Sequence, residues 1–240
     1  MTGFRSGREV SRVEGFSDAV FGFALTLLVV SLEVPESFDD MKAILNAFLP
    51  FGLMFALICW IWYEHYAFFR KYDAEDPLTI TLNCVLLFIV LFFVYPLKFV
   101  FSNVVKLFSG ERSAFFDMSP ADNRMLLSVY SVGFVGIMLV FVMLYNNVYR
   151  KRERLGLSAE EAFDASAGAR THAISMSLGL VSIVLAWTLP LNWFWVAGPV
   201  YGLQGPLHWI NGTLLARARE RQFGSAARAA VDRSASGDAR

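Results

Sequence analysis

A series of long apolar runs constrains this chain more than any other feature of its sequence. Each run approaches or exceeds the roughly 20 helical residues that cross a bilayer. Only 18% of the 240 residues are charged and 56% are hydrophobic, a balance that soluble domains of this size rarely have. We therefore predict an all-α polytopic membrane protein with six transmembrane helices. The predicted spans are residues 13–34, 44–67, 78–101, 125–148, 172–190 and 193–215.

The distribution of basic residues predicts how these spans are oriented. Most of the 21 Lys and Arg residues fall in the N-terminus, the loops 68–77 and 149–171, and the C-terminal tail. Six spans place these four segments on one side, and basic residues accumulate on the cytoplasmic side. We therefore expect residues 1–11 to be a cytoplasmic N-terminus and residues 12–215 a transmembrane domain. Residues 216–240 form a basic cytoplasmic tail whose composition predicts disorder.

The first span carries a carboxylate near its start. Ser11 and Glu14 have the spacing of a capping box, which predicts that the helix begins at Arg12. Asp18 then lies about 9 Å inside the helix at 1.5 Å per residue, close to the cytoplasmic boundary. A charged group at this depth is costly unless another group pairs with it.

A helical wheel separates Asp18 from a second face of the same helix. At 100° per residue, Asp18 lies with Glu14 and Gly22, while another stripe is centred about 130° away. That stripe comprises Phe23, Thr26, Leu27 and Val30. A pore or contact surface along the stripe would not be lined by the carboxylate.

Residues of the second and third spans offer partners at the same depth. The second span ends with Trp62 and His65, and the third places Asn83 about two turns inside. Asp18 and Ser17 then have two interpretations: they coordinate a transported ion or proton, or they form a buried latch that fixes the first helix. The wheel favours the latch. His65 has a structural and a proton-sensing interpretation, and the residues alone leave both open.

Several of these residues also form a known pattern. Arg12-x-x-x-Phe16-Ser17-Asp18 in the first span resembles the signature of the transmembrane protein 175 family of potassium channels. Trp62-x-x-His65 and Asn83 with Pro96 extend the resemblance into the second and third spans. It covers all six spans in topology, but its specific motifs lie in roughly the first hundred residues.

The resemblance implies a bacterial-type channel of the inner membrane. Such members are homotetramers whose first helices line a cation pore without the carbonyl filter of ordinary potassium channels. By position, Phe23, Thr26, Leu27 and Val30 would line the pore, with K⁺ passing transiently near Thr26 and no fixed metal. Arg12, Phe16, Ser17, Asp18, Trp62, His65 and Asn83 would form the network that holds this helix. Phe23 departs from the Ile or Leu usual in the family, and its bulk predicts a tighter hydrophobic gate.

Three function classes follow from these observations. The first is a potassium-preferring channel with its gate at Phe23 and Leu27, surrounded by membrane lipids. The second is an ion- or proton-coupled transporter that uses Asp18, although no internal repeat is visible. The third is a membrane enzyme, which the few scattered His, Asp and Glu residues do not favour. Neither a cofactor nor a nucleic acid partner is expected.

Overall fold

A computed structural model describes residues 10–30, 34–72, 74–191 and 193–237. Every regular element in these ranges is helical, which confirms the all-α class. The α-helices are α1 (Arg12–Val30), α2 (Phe38–Asn46), α3 (Phe48–Lys71), α4 (Pro77–Ser109), α5 (Pro120–Arg150), α6 (Ala159–Thr188) and α7 (Gln204–Gly237). Short 3₁₀ helices lie at Ala114–Phe116, Phe194–Ala197 and Pro199–Leu203.

Five of the described helices are long and apolar enough to cross a membrane: α1, α3, α4, α5 and α6. The sixth predicted span, 193–215, is not among them. Two 3₁₀ helices occupy its first part, and α7 begins only at Gln204. Pro199 is the first residue of the second 3₁₀ helix and Pro206 lies in the first turn of α7, positions where the missing amide hydrogen is tolerated, so the prolines mark where helices begin in this segment. Five of the six predicted spans therefore correspond to helices that are long and apolar enough to cross a membrane, and the count of six is not confirmed.

The helix boundaries also differ from those that hydropathy predicts. The predicted span 44–67 begins inside α2 and crosses a break at Ala47 into α3. α6 begins at Ala159, well before residue 172, because Ser158 and Glu161 form a capping box there. α7 likewise continues to Gly237, whereas composition predicts a disordered tail from residue 216. Predictions for residues 1–9, 31–33 and 238–240 lie outside the described residues.

Small residues allow α5 and α6 to form the most extensive helix pair. A Cβ atom on Gly179 would lie 2.6 Å from Cγ2 of Val135 and 3.1 Å from Cδ1 of Phe134. A Cβ atom on Gly168 would lie 2.5 Å from Cε1 of Tyr145. α1 packs separately, against α3 and α4. The bundle thus has a tight α5–α6 pair and a more isolated first helix.

Asp76 joins the start of α4 to the end of α5. Its carboxylate caps α4 by accepting hydrogen bonds from the backbone N–H of Leu78 and from Oγ1 of Thr79. Nδ2 of Asn147 also donates to it at 2.9 Å, and Nζ of Lys151 lies 2.8 Å away. Burial alone would raise the pKa of Asp76, but the bonds from Lys151, Thr79 and Asn147 outweigh burial and hold this pKa well below its usual range.

Gly179→Ala should lower the free energy of unfolding by about 1–3 kcal/mol, because the added methyl group overpacks the α5–α6 contact. Gly212→Ala is the control, since nothing lies within 4 Å of its added Cβ. We expect it to be neutral or to stabilise by up to about 1 kcal/mol, through helix propensity alone. Thermal unfolding in detergent measures both. Equal effects of the two substitutions would contradict the close packing.

Asp76 should contribute stability that is lost in acid. A carboxyl group whose pKa is lowered by folding stabilises the fold fully above its unfolded pKa of about 3.9, and the contribution falls as pH drops towards the folded value. Asp76→Asn should therefore destabilise the protein at pH 7 and flatten its loss of stability below about pH 5. Unfolding midpoints across this pH range test the prediction. An acid dependence identical to that of the unsubstituted protein would refute it.

Candidate functional site

One face of α1 packs against the rest of the bundle. Its buried residues follow helical spacing: Glu14, Ser17, Phe21, Ala24 and Leu28. The capping box is present as predicted, since the backbone N–H of Ser11 donates to the Glu14 carboxylate and the N–H of Glu14 donates to Oγ of Ser11. The helix accordingly begins at Arg12. The buried face is centred nearer Ser17 than Asp18, whose side chain is exposed.

Ser17, Asn83 and His65 form a buried chain of hydrogen bonds between three helices. Nδ2 of Asn83 on α4 donates to Oγ of Ser17 at 2.9 Å. Oδ1 of Asn83 lies 2.8 Å from Nε2 of His65 on α3. Because an amide oxygen only accepts, Nε2 of His65 carries the hydrogen in this orientation. Ser17 in turn donates to the carbonyl of Val13, one turn earlier. Each bond of the chain thus has a defined direction.

Asp18 makes a second link from α1 to α3. Nε1 of Trp62 donates to Oδ1 of Asp18 at 2.7 Å, a short, charge-assisted bond. Ser17 and Asp18 therefore bind different helices, although they are adjacent in sequence. Arg12 and Phe16 are both exposed on the single chain, and no hydrogen bond joins either of them to this network within the described residues. The structure thus brings together five of the seven residues expected in the network.

The predicted pore stripe lies on the uncovered side of α1. Phe23 is 56% exposed and Val30 is 69% exposed, an exposure comparable with that of Phe88 on α4, which is 68% exposed. Thr26 is exposed and Leu27 is half-buried. Oγ1 of Thr26 donates to the carbonyl of Gly22 at 2.9 Å, so its lone pairs point away from the helix backbone. The network holds one face of α1 and leaves most of this stripe uncovered by the described part of the chain.

A second polar seam, between α6 and α7, is absent from the sequence interpretation. Oγ of Ser175 lies 2.8 Å from Nε2 of His208 and accepts from Nε2 of Gln204 at 3.2 Å. Nearer the start of α6, Nδ2 of Asn211 donates to Oγ1 of Thr171 at 3.0 Å. Thr171 and Ser175 are four residues apart, as are Gln204 and His208, so matching helical spacing of polar residues is the signal that reveals the seam.

His172 lies beside the seam and faces α3. Its Nε2 is 3.6 Å from the carboxylate of Glu64, and its ring stacks on Phe141 and Tyr145 with centroids 4.7 and 5.4 Å away. No group of three His, Cys, Asp or Glu residues suited to a metal ion occurs among the described residues.

Comparison with known proteins relates the chain to potassium channels. The family described as the endosomal/lysosomal potassium channel TMEM175 matches residues 12–93, which contain the network and the stripe. A potassium channel of Marivirga tractuosa is 35% identical over 225 residues, covering 90% of this chain and 91% of the relative. A potassium channel of Chamaesiphon minutus is 25% identical over 186 residues, covering 74% and 84%.

Solved structures give a similar result. The crystal structure of a variant of the potassium channel MtTMEM175, in complex with a nanobody–MBP fusion protein, has a TM-score of 0.80 and 33% sequence identity. The match covers 90% of this chain and 97% of that one. A lysosomal potassium-selective TMEM175 homolog from Chamaesiphon minutus has a TM-score of 0.56 at 22% identity, over 83% and 96%, and shows a shared fold.

Asn83→Leu should destabilise the protein by about 1–3 kcal/mol, because it removes two interhelical bonds and leaves Ser17 and His65 without them. Thr81→Val on the same helix is the control, since Thr81 is exposed and its hydroxyl bonds only to the carbonyl of Pro77. Thermal unfolding in detergent compares the two variants. A midpoint for Asn83→Leu no lower than that of the control would show that the chain of hydrogen bonds does not hold α1.

Proposed function

The chain belongs to the TMEM175 family of potassium channels, and from this premise we propose that it conducts K⁺ through a pore lined by α1. One observation carries the proposal. The bonds of Ser17 and Asp18 hold one side of α1 against α3 and α4, while Phe23, Thr26 and Val30 stay uncovered on another. An uncovered apolar stripe on a helix that its own bundle fixes in place suits a central pore.

A single copy of α1 cannot enclose such a pore. Several copies around an axis would enclose one, and would also cover the stripe that is exposed on the single chain. Family membership supports four copies, because homotetramers are what the sequence resemblance implies. We therefore propose a homotetramer with α1 at its axis and the remaining spans between α1 and the lipid.

Rings of Phe23 and Leu27 would form a hydrophobic gate that closes by expelling water from the pore. Thr26 lies between them in sequence, and its hydroxyl hydrogen is engaged by Gly22. Its oxygen lone pairs are then free to contact K⁺ in passing, as suits a cation that binds oxygen ligands. A carbonyl filter is not proposed, because the sequence has no Thr-Val-Gly-Tyr-Gly-like segment and α1 is a continuous helix whose carbonyls serve its own bonds.

We further propose a sixth crossing formed by residues 193–215, with both termini in the cytoplasm of a bacterium. The seam of Ser175, Gln204 and His208 supports the crossing, because it pairs polar side chains of α7 that lipid would otherwise meet. The basic loops and tail support the orientation. The Marivirga and Chamaesiphon relatives support a bacterial inner membrane.

An ion-coupled transporter that uses Asp18 is the less favoured alternative. Nε1 of Trp62 already donates to its carboxylate, and Asp18 lies about 130° around α1 from the centre of the stripe that would line the pore. A structural latch accounts for this geometry, because the hydrogen-bond donor to Asp18 belongs to the chain itself. A transport site would need the carboxylate to leave Trp62 in each cycle.

Phe23→Ala should increase K⁺ flux into reconstituted vesicles by about tenfold, which corresponds to lowering the dehydration barrier at the gate by about 1.4 kcal/mol. The matched control is Phe88→Ala, which removes an equally exposed ring from α4 and should leave the flux unchanged. Fluorescent measurement of K⁺ entry compares the three proteins. If neither the unsubstituted protein nor Phe23→Ala conducts any monovalent cation, the proposed channel function is wrong for this chain.

A further inference from the structure

α2 lies between the C-terminal end of α1 and the N-terminal end of α3. The chain leaves α1 at Val30 and enters α3 at Phe48, and both helices are long and apolar enough to cross a bilayer. α2 is a helix in its own right. Oγ of Ser37 accepts from the backbone N–H of Asp40 at 3.1 Å, and the Asp40 carboxylate accepts from the backbone N–H of Ser37 at 2.9 Å. This capping box begins a separate helix between the two candidate spans.

The residues of α2 separate into an apolar and a polar side. At 100° per residue, Phe38, Met41 and Leu45 fall within about 60° of one another. Asp39 lies across the wheel from Met41 and pairs with Lys42 at 2.9 Å. Lys42 lies nearer the edge of the apolar side, about 40° from Phe38, and its Nζ is 4.8 Å from the centre of the Phe38 ring. A helix with one apolar and one charged side has the pattern of helices that lie at a membrane surface.

The described part of the chain leaves most of the apolar side uncovered. No residue of α2 is buried, and the exposed fractions of Phe38, Met41 and Leu45 are 75%, 42% and 65%. The apolar side continues past Ala47 into Phe48, which is 74% exposed at the start of α3. The uncovered surface of α2 is therefore continuous with the surface of a membrane-spanning helix.

We propose that α2 binds the bilayer, with Phe38, Met41 and Leu45 inserted at the boundary between head groups and acyl chains of the leaflet at the C-terminal end of α1. A second copy of α2 suits this surface less well. An aromatic side chain such as Phe38 buries at most about 250 Å², and Met41 and Leu45 bury less. The three together supply less than roughly 750 Å², below the roughly 800 Å² per partner of a stable interface. Zwitterionic lipid suffices, since Asp39 and Asp40 outnumber Lys42. The proposal requires only that α1 and α3 cross the membrane, and is independent of ion conduction.

Site-directed spin labelling of the full chain in phosphatidylcholine vesicles tests the proposal. Cys59 and Cys84 are replaced by Ala, and single cysteines are introduced as Met41→Cys, Leu45→Cys and, as the matched control, Asp39→Cys. None of these three positions is buried, so the substitutions leave the core intact. Relaxation by oxygen, which partitions into lipid, is compared with relaxation by a water-soluble nickel chelate.

Oxygen should dominate the relaxation at positions 41 and 45, and the nickel chelate at position 39. Dominance of the nickel chelate at position 41 would overturn the proposal by placing this side in water. Position 41 could instead be protected from both reagents, with its spectrum broadened by the spin label of a second copy. That result would overturn the proposal in favour of contact between copies. Dominance of oxygen at all three positions would also overturn it, because α2 would then be immersed on every side.

Discussion

The chain of hydrogen bonds from His65 through Asn83 to Ser17 determines how α1 is rotated in the bundle. Polar side chains inside a membrane helix bundle have almost no alternative partners, so they favour the one rotation in which all of them are paired. Asn83 makes both links from a single side chain on α4. Rotating α1 by one residue would bury the charge of Asp18 where Ser17 now lies. The uncovered position of Phe23 and Thr26 follows from this rotation.

The strongest local patterns could be predicted from sequence. The capping box of Ser11 and Glu14 was predicted correctly because its signal lies within four residues and needs no tertiary partner. The common depth of His65 and Asn83 was also predictable, because helix rise and span direction fix it. Which helix each polar residue meets was not predictable. A wheel shows the faces of α1 but carries no information about which neighbour covers each face, so Ser17 and Asp18 could not be assigned to α4 and α3.

Tertiary pairing is the feature of the last span that hydropathy could not report. Hydropathy predicts a span at residues 193–215, but it does not indicate that His208, Gln204 and Asn211 are paired with hydroxyl groups of α6. It scores such residues as though they faced lipid, and so it carries no information about which helix pairs with them. The early start of α6 at Ala159 has a related cause, since a hydropathy window reports where the bilayer begins and not where the helix does.

Together, the anchored face and the uncovered stripe make α1 the helix on which the proposed conduction depends. A high-resolution structure of the full assembly in lipid tests this account most directly. The account predicts one α1 per copy around the symmetry axis, with Phe23 and Thr26 directed at the axis and Ser17 bonded to Asn83 of its own copy. An assembly with α1 at the lipid-facing periphery, or with the Ser17 side of α1 facing the axis, would contradict it.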